Sequence, residues 1–142
     1  MKQQNYHNHR RWSPAFHFVT LPLLIAMVIG SFINLYKSDD TNLYSASLIC
    51  LGSVIMSSLY AHTRLFSLKI QSRLIRAEEN FRHFILTGKP LDHRLKLSQI
   101  IALRFAKDAQ FVDLAAKAVE EKLTNDQIKQ LVTNWKGDYH RV

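Results

Sequence analysis

The 142-residue sequence is poor in the residues that staple or punctuate a chain. A single cysteine, Cys50, excludes an intrachain disulfide and a cysteine metal cluster. Four glycines are too few for a phosphate-cradling loop, and with only three prolines little interrupts long helices. Motifs of the forms G-x-x-x-x-G-K, G-x-G-x-x-G, H-E-x-x-H and G-x-S-x-G are missing. The acidic pairs Asp39-Asp40, Glu78-Glu79 and Glu120-Glu121 are sequence neighbours. Helical neighbours point about 100° apart, so none of these pairs makes a catalytic dyad. There is no internal repeat and no low-complexity segment. The expectation is a non-enzymatic chain with no catalytic residue and no cofactor.

Charge is also missing, in two long places. Between Arg11 and Lys37 there are 25 residues without a formal charge, and between Asp40 and Arg64 there are 23. A bilayer core takes roughly 20 predominantly apolar residues as a helix. The run "VTLPLLIAMVIGSFINLY" is the more apolar, and the second carries serines at 45, 47, 53, 57 and 58. Those serines fit a close-packed interface. Ala46, Cys50, Ser53, Ser57 and Ala61 form one stripe of small residues, of the kind along which lipid-buried helices pack. The short polar link "KSDDTN" suits an antiparallel hairpin. Its symmetric register sets Ala26 level with Ser53, and Asn34 with Ser45. Pro22 is expected to kink the first helix.

The remaining charge is strongly positive. The formal net charge is +8, from 19 Lys+Arg against 11 Asp+Glu. Lys2, Arg10 and Arg11 precede the first run, and Arg64, Lys69, Arg73 and Arg76 follow the second before any acid. The positive-inside rule then makes both termini cytoplasmic, with Trp12 at the inner interface and Tyr36 and Tyr44 at the outer. The apolar run behind the basic amino terminus is too long for a signal-peptide core and lacks a small-residue cleavage site. The expected organisation is a basic tail over 1–14, membrane helices over 15–36 and 43–63 joined by a link over 37–42, a cytoplasmic extension of the second helix over 64–87, and a helical domain over 88–142.

No helix breaker appears from Leu43 until Gly88-Lys89-Pro90. One helix of 45 residues would measure about 67 Å, more than twice a bilayer core. Its extension carries an apolar seam of Phe66, Ile70, Leu74, Ala77, Phe81 and Phe84 at coiled-coil-like spacing. Lys69, Arg73 and Arg76 line a neighbouring face, and Glu78 and Arg82 stand at i and i+4. The seam is expected to pack on the carboxy-terminal segment, with Phe81 and Phe84 as buried anchors and Arg82 solvated. A second copy in a parallel coiled coil is an alternative, and anionic headgroups against the basic face are another.

Three short helices are readable beyond Leu91: "LSQIIALRFA", "DAQFVDLAAKAVEEKL" with Asp108 as N-cap, and "TNDQIKQLVTNW" opened by a Thr124–Gln127 capping box. Their inward residues are Ile100, Ile101, Leu103 and Phe105, then Phe111, Leu114, Ala115, Ala118 and Val119, then Ile128, Leu131, Val132 and Trp135. The fold class is thus all-α: a transmembrane helical hairpin whose second helix extends into the cytoplasm and packs with a small three-helix carboxy-terminal unit. The last helix has only Lys129 and Lys136 against Asp126, which speaks against a nucleic-acid recognition helix. His17 and His62 are level in the symmetric hairpin. Neither falls on the small-residue stripe, so interfacial rings are expected, with haem or metal ligation as the alternative. The expected function is that of a membrane-anchored interaction or scaffold module, with membrane lipids and either a second copy or a larger membrane complex as partners; binding of anionic lipid or nucleic acid through the basic face of Lys69, Arg73, Arg76 and Arg82 is the alternative.

The segments "NYHNHRRW", "HFVTLPLL", "NLYSASL", "IRAEENFRHFILTGKPLD" and "QIIALRFA" resemble an uncharacterised family of small two-span bacterial inner-membrane proteins, a domain of unknown function. The resemblance spans nearly the whole chain and implies the same topology. It implies no activity and no catalytic residue.

Overall fold

The structure is a computed structural model that describes Asn5, Tyr6 and residues 13–137. Lys2, Arg10, Arg11 and Trp12 lie outside the described residues. Helix dominates, and the one β feature among the described residues is an isolated antiparallel bridge between Ala106 and Trp135. A π-helical segment, Ala15–Thr20, leads into α1 (Leu21–Lys37). The long α2 (Leu43–Thr87) follows, then α3 (Leu97–Leu103), α4 (Asp108–Glu120) and α5 (Asn125–Leu131). Contacts group the chain into two compact units, one within Trp12–Ser67 and one built on Leu68–Val142. The division falls inside α2.

In the first unit, α1 and the start of α2 form a hairpin closed by a short turn. Asn42 Nδ2 donates to Asp39 Oδ1 at 2.9 Å across that turn. The run Ala15–Lys37, the π segment with α1, and α2 are each long and apolar enough to cross a membrane. Of the apolar window of each, 6 % is buried in the first and 17 % in the second. The small-residue face of α2 is the packed one. Ala46, Cys50 and Ser53 are buried and Ser57 is half-buried, whereas Ala61 is exposed. The register differs from the symmetric one. Ser53 meets Ser31, not Ala26, with 2.9 Å between the hydroxyls. Asn34 and Ser45 are both exposed. The packed positions of α1 are Leu21, Leu24, Val28, Ser31 and Leu35, so its contact follows the alternating three- and four-residue steps of a helix pair, and Ser31 is the small residue that lets α2 approach.

Pro22 stands where the π segment passes into α1, inside one continuous helical run over Ala15–Lys37, so its missing N–H removes a backbone bond there. The π segment precedes it: Leu21 N–H reaches back to Phe16 O, and Thr20 Oγ1 donates to Ala15 O at 3.1 Å. The Phe16 carbonyl also accepts from Tyr60 Oη at 2.9 Å. The Phe16 ring stacks on Tyr60 at 4.2 Å, with the Arg64 guanidinium 5.5 Å from its centroid.

In the second unit, α3, α4 and α5 close a core of their own. Leu95, Ile100, Leu103, Phe105, Phe111, Leu114, Ala118, Ile128 and Val132 are among its buried members, and Trp135 packs at its edge, tilted against Phe105 at 4.8 Å. Leu131 is 36 % exposed and does not join. α5 ends at Leu131, short of Trp135, because Val132 turns to an extended conformation. The Thr124–Gln127 capping box is present in both directions. The buried Gln99 amide donates to Leu123 O and accepts from Lys96 N–H, both at 2.7 Å, tying the start of α3 to the turn after α4. α2 stops as its sequence implies: Gly88 has φ 72, and its N–H bonds Phe84 O at 2.8 Å, a single-bond left-handed cap.

Candidate functional site

The carboxy-terminal helices pack on α2 through its polar side, not its apolar seam. Within residues 68–87 Ile75 and Glu79 are buried, 8 % and 6 % exposed, and Gln71, Ser72, Arg82, His83 and Thr87 are half-buried. Arg82 is the centre of the junction. Its Nη1 donates to Glu79 Oε2 at 2.9 Å, its Nη2 to Ala106 O at 2.7 Å, and its Nε to Asp108 Oδ1 at 2.6 Å. Its guanidinium lies 4.3 Å from the centroid of the fully buried Phe111. Thus Arg82, expected in solvent, is a fastening residue, and its partner on the helix is Glu79 rather than Glu78. Asp108 is not the N-cap of α4. Lys107 holds that place, and Asp108, in the first turn, gives its carboxylate to Arg82. Two neighbours extend the junction: Asn80 Oδ1 accepts from Leu91 N–H at 2.9 Å, and the His83 ring donates from Nδ1 to Lys89 O at 2.8 Å.

The opposite side of α2 is bare. Phe66, Ile70, Leu74, Phe81 and Phe84 are 61 %, 68 %, 56 %, 64 % and 53 % exposed. Phe81 and Phe84 are therefore not anchors of the carboxy-terminal core. The physical reason is that this core fills itself from α3–α5, so from α2 it takes one apolar residue, Ile75, and otherwise hydrogen-bonding and charge. The sequence carried one hint of this, a Glu79–Arg82 pair three residues apart and away from the seam. Lys69, Arg73 and Arg76 are exposed beside the stripe.

The two histidines are each engaged on their own helix. The His17 ring donates from Nδ1 to Ser13 O at 3.0 Å, and the His62 ring to Ser58 O at 2.8 Å. No group of three metal-ligating side chains occurs among the described residues. A groove of about 680 Å³ runs beside α4, lined by Leu91, Asp92, Arg94, Val112, Val119 and Glu120. At its rim the Asp92 carboxylate accepts from Arg94 Nη2 at 2.6 Å and from the Arg94 backbone N–H at 2.9 Å. These bonds pull its pKa down to about 2. His83, Lys89 and His93 also line the groove.

No curated protein and no solved structure matches the chain. A family model described as a family of unknown function, DUF6526, matches residues 1–142, and the chain therefore belongs to that family.

Proposed function

We propose that the protein is a non-enzymatic, membrane-anchored interaction module. The hairpin of α1 and the start of α2 is the anchor, in a bacterial cytoplasmic membrane with both termini on the cytoplasmic side. The Lys/Arg excess outside the two uncharged runs supports that orientation. The continuation of α2 is the presenting element, and the carboxy-terminal helices brace it.

The exposed stripe on α2 carries the reading. Burying one Phe or Leu side chain is worth about 1.5–3 kcal/mol, so a row of large apolar groups left open on a helix is a contact surface awaiting a protein partner. A span uses about 20 residues of α2, which leaves Ile70–Phe84 beyond the hydrocarbon. Lipid tails are therefore not its cover. A second reading, attraction of Lys69, Arg73 and Arg76 to anionic headgroups, is supported by the exposure of all three next to the end of the apolar run.

The test has two parts. A periplasmic reporter at Asp40 is expected to be active, and a cytoplasmic one at Val142; a cytoplasmic signal at Asp40 sinks the topology. In native electrophoresis of gently solubilised membranes, the protein is expected in a species larger than its own 16.5 kDa plus detergent. Phe81→Asp should collapse that species. Migration as a single chain with and without the substitution contradicts the interaction reading.

A further inference from the structure

We infer that the partner of the exposed stripe is a second copy of this chain, paired in parallel and in register along Ile70–Phe84. The inference rests on the reading above and names its partner.

The spacing of the stripe is the first argument. Ile70, Leu74, Ala77, Phe81 and Phe84 follow steps of four, three, four and three. In heptad terms Ile70, Ala77 and Phe84 are d positions, and Leu74 and Phe81 are a positions. The next a position is Gly88, where the helix stops. The seam thus ends with the helix that carries it.

The second argument is that the carboxy-terminal helices leave the seam itself free. They hold α2 through Ile75, Glu79 and Arg82, which are b and f positions in the same frame, with His83 at c and Asn80 at g near the stop. A chain already braced by its own α4 therefore still offers the a and d positions, with Arg73 at g and Glu78 at e exposed beside them, to another helix.

Charge decides the direction. Arg73 is a g position and Glu78 the e position of the following heptad. In a parallel pair the g residue of one helix faces the e residue five places on in its partner. Arg73 of each copy then faces Glu78 of the other, twice by symmetry. Both are exposed, and neither is spent on an ion pair within the chain among the described residues. An antiparallel pair would match e with e and g with g, so Arg73 and Glu78 would not face each other. Two heptads alone are too short to hold free helices together in water. Anchoring both copies in one membrane raises their effective concentration and gives them a common direction.

The experiment uses the full chain in membranes, with Cys50→Ala as background. Ala77→Cys lies at the centre of the seam, and Arg76→Cys at a c position beside it. Ala77→Cys is expected to form disulfide-linked dimers about tenfold more than Arg76→Cys, since only the core position is self-facing. Adding Arg73→Glu should lower that yield about tenfold, and adding Glu78→Arg as well should restore it. An unchanged proteolysis pattern over Leu91 to Val142 shows that the variants are folded. Equal cross-linking at 76 and 77, or no response to Arg73→Glu, overturns the pairing. A bifunctional thiol reagent that links position 77 only to a different protein overturns the second copy and leaves the interaction module standing. Position 77 linking to nothing, in a protein that remains membrane-embedded, overturns both.

Discussion

Arg82 Nε donates to Asp108 Oδ1 at 2.6 Å, which fastens the penultimate turn of α2 to the first turn of α4. The bond is one of three that the guanidinium makes, and Phe111 fills the space beneath it. Arg82 and Glu79 side chains are 12 % and 8 % exposed, so losing one leaves the other poorly solvated.

Arg82→Ala is accordingly expected to weaken the second unit by about 3 kcal/mol, the usual effect of removing one partner of a largely buried pair. Phe81→Ala, one residue away on the bare face, should change stability by less than about 0.5 kcal/mol. Limited proteolysis in detergent, read over Leu91 to Val142, distinguishes the two. Equal protection of both variants would contradict the facing of α2 described above.

Lys122 closes α4 with φ 51, and Leu123 N–H returns to Ala118 O at 3.2 Å. A left-handed residue with a Cβ costs roughly 1 kcal/mol relative to glycine. Lys122→Gly should therefore stabilise the second unit by up to about 1 kcal/mol, seen as a raised midpoint in thermal unfolding. Gly88→Ala, at the corresponding place after α2, should destabilise by a similar amount, about 1 kcal/mol.

The Ser31–Ser53 contact predicts a modest coupling. Interhelical hydrogen bonds in membrane proteins average about 0.6 kcal/mol in double-mutant cycles. Ser31→Ala and Ser53→Ala should show a coupling of about that size in detergent unfolding. Ser53→Leu should cost more, about 1–3 kcal/mol, because it forces the helices apart. A neutral Ser53→Leu would mean that Ser53 does not face α1.

Asp92 should titrate near 2, as followed by carboxyl carbon NMR. Its pKa lies below the ordinary value of 3.8, so the stabilising effect of its bonds to Arg94 is present above that value and fades as pH falls toward 2. Arg94→Ala should return the midpoint toward 3.8, because the side-chain hydrogen bond from Arg94 is the largest cause of the shift. An unmoved midpoint would show that the backbone N–H alone lowers it.

Helix positions and ends were largely legible from sequence because their causes are local. The unbroken stretch from Leu43 to Thr87, the Gly88 stop and the Thr124–Gln127 box each depend on residues within a turn or two. The inward residues of α3 and α4 followed from periodicity for the same reason. Facing was not legible for α2. Periodicity locates a stripe but does not say which of two opposite sides meets the rest of the chain, and the assumption that the apolar one turns inward fails where a chain keeps that side for something else. Arg82 and Asp108 lie 26 positions apart, and nothing near either one announces the other. The hairpin register was missed because it depends on how the turn over 38–42 bends, not on its length.

The π segment before α1 has a consequence for how this helix tolerates insertions and deletions. A π turn is an α-helix with one residue too many, the surplus absorbed as a wider loop of backbone. Deleting one residue between Phe16 and Leu21 would let the segment relax to ordinary helix with the residues before the deletion facing nearly the same way, because five residues in the wide turn sweep about the angle that four sweep in an ordinary one. Phe16 would then stay beside Tyr60, with its carbonyl still facing the Tyr60 hydroxyl. The extra residue thus works as a phase shifter. It allows the apolar face of α1 and the aromatic contact before it to look toward the same side of α2, although a plain helix of this sequence would set them out of step.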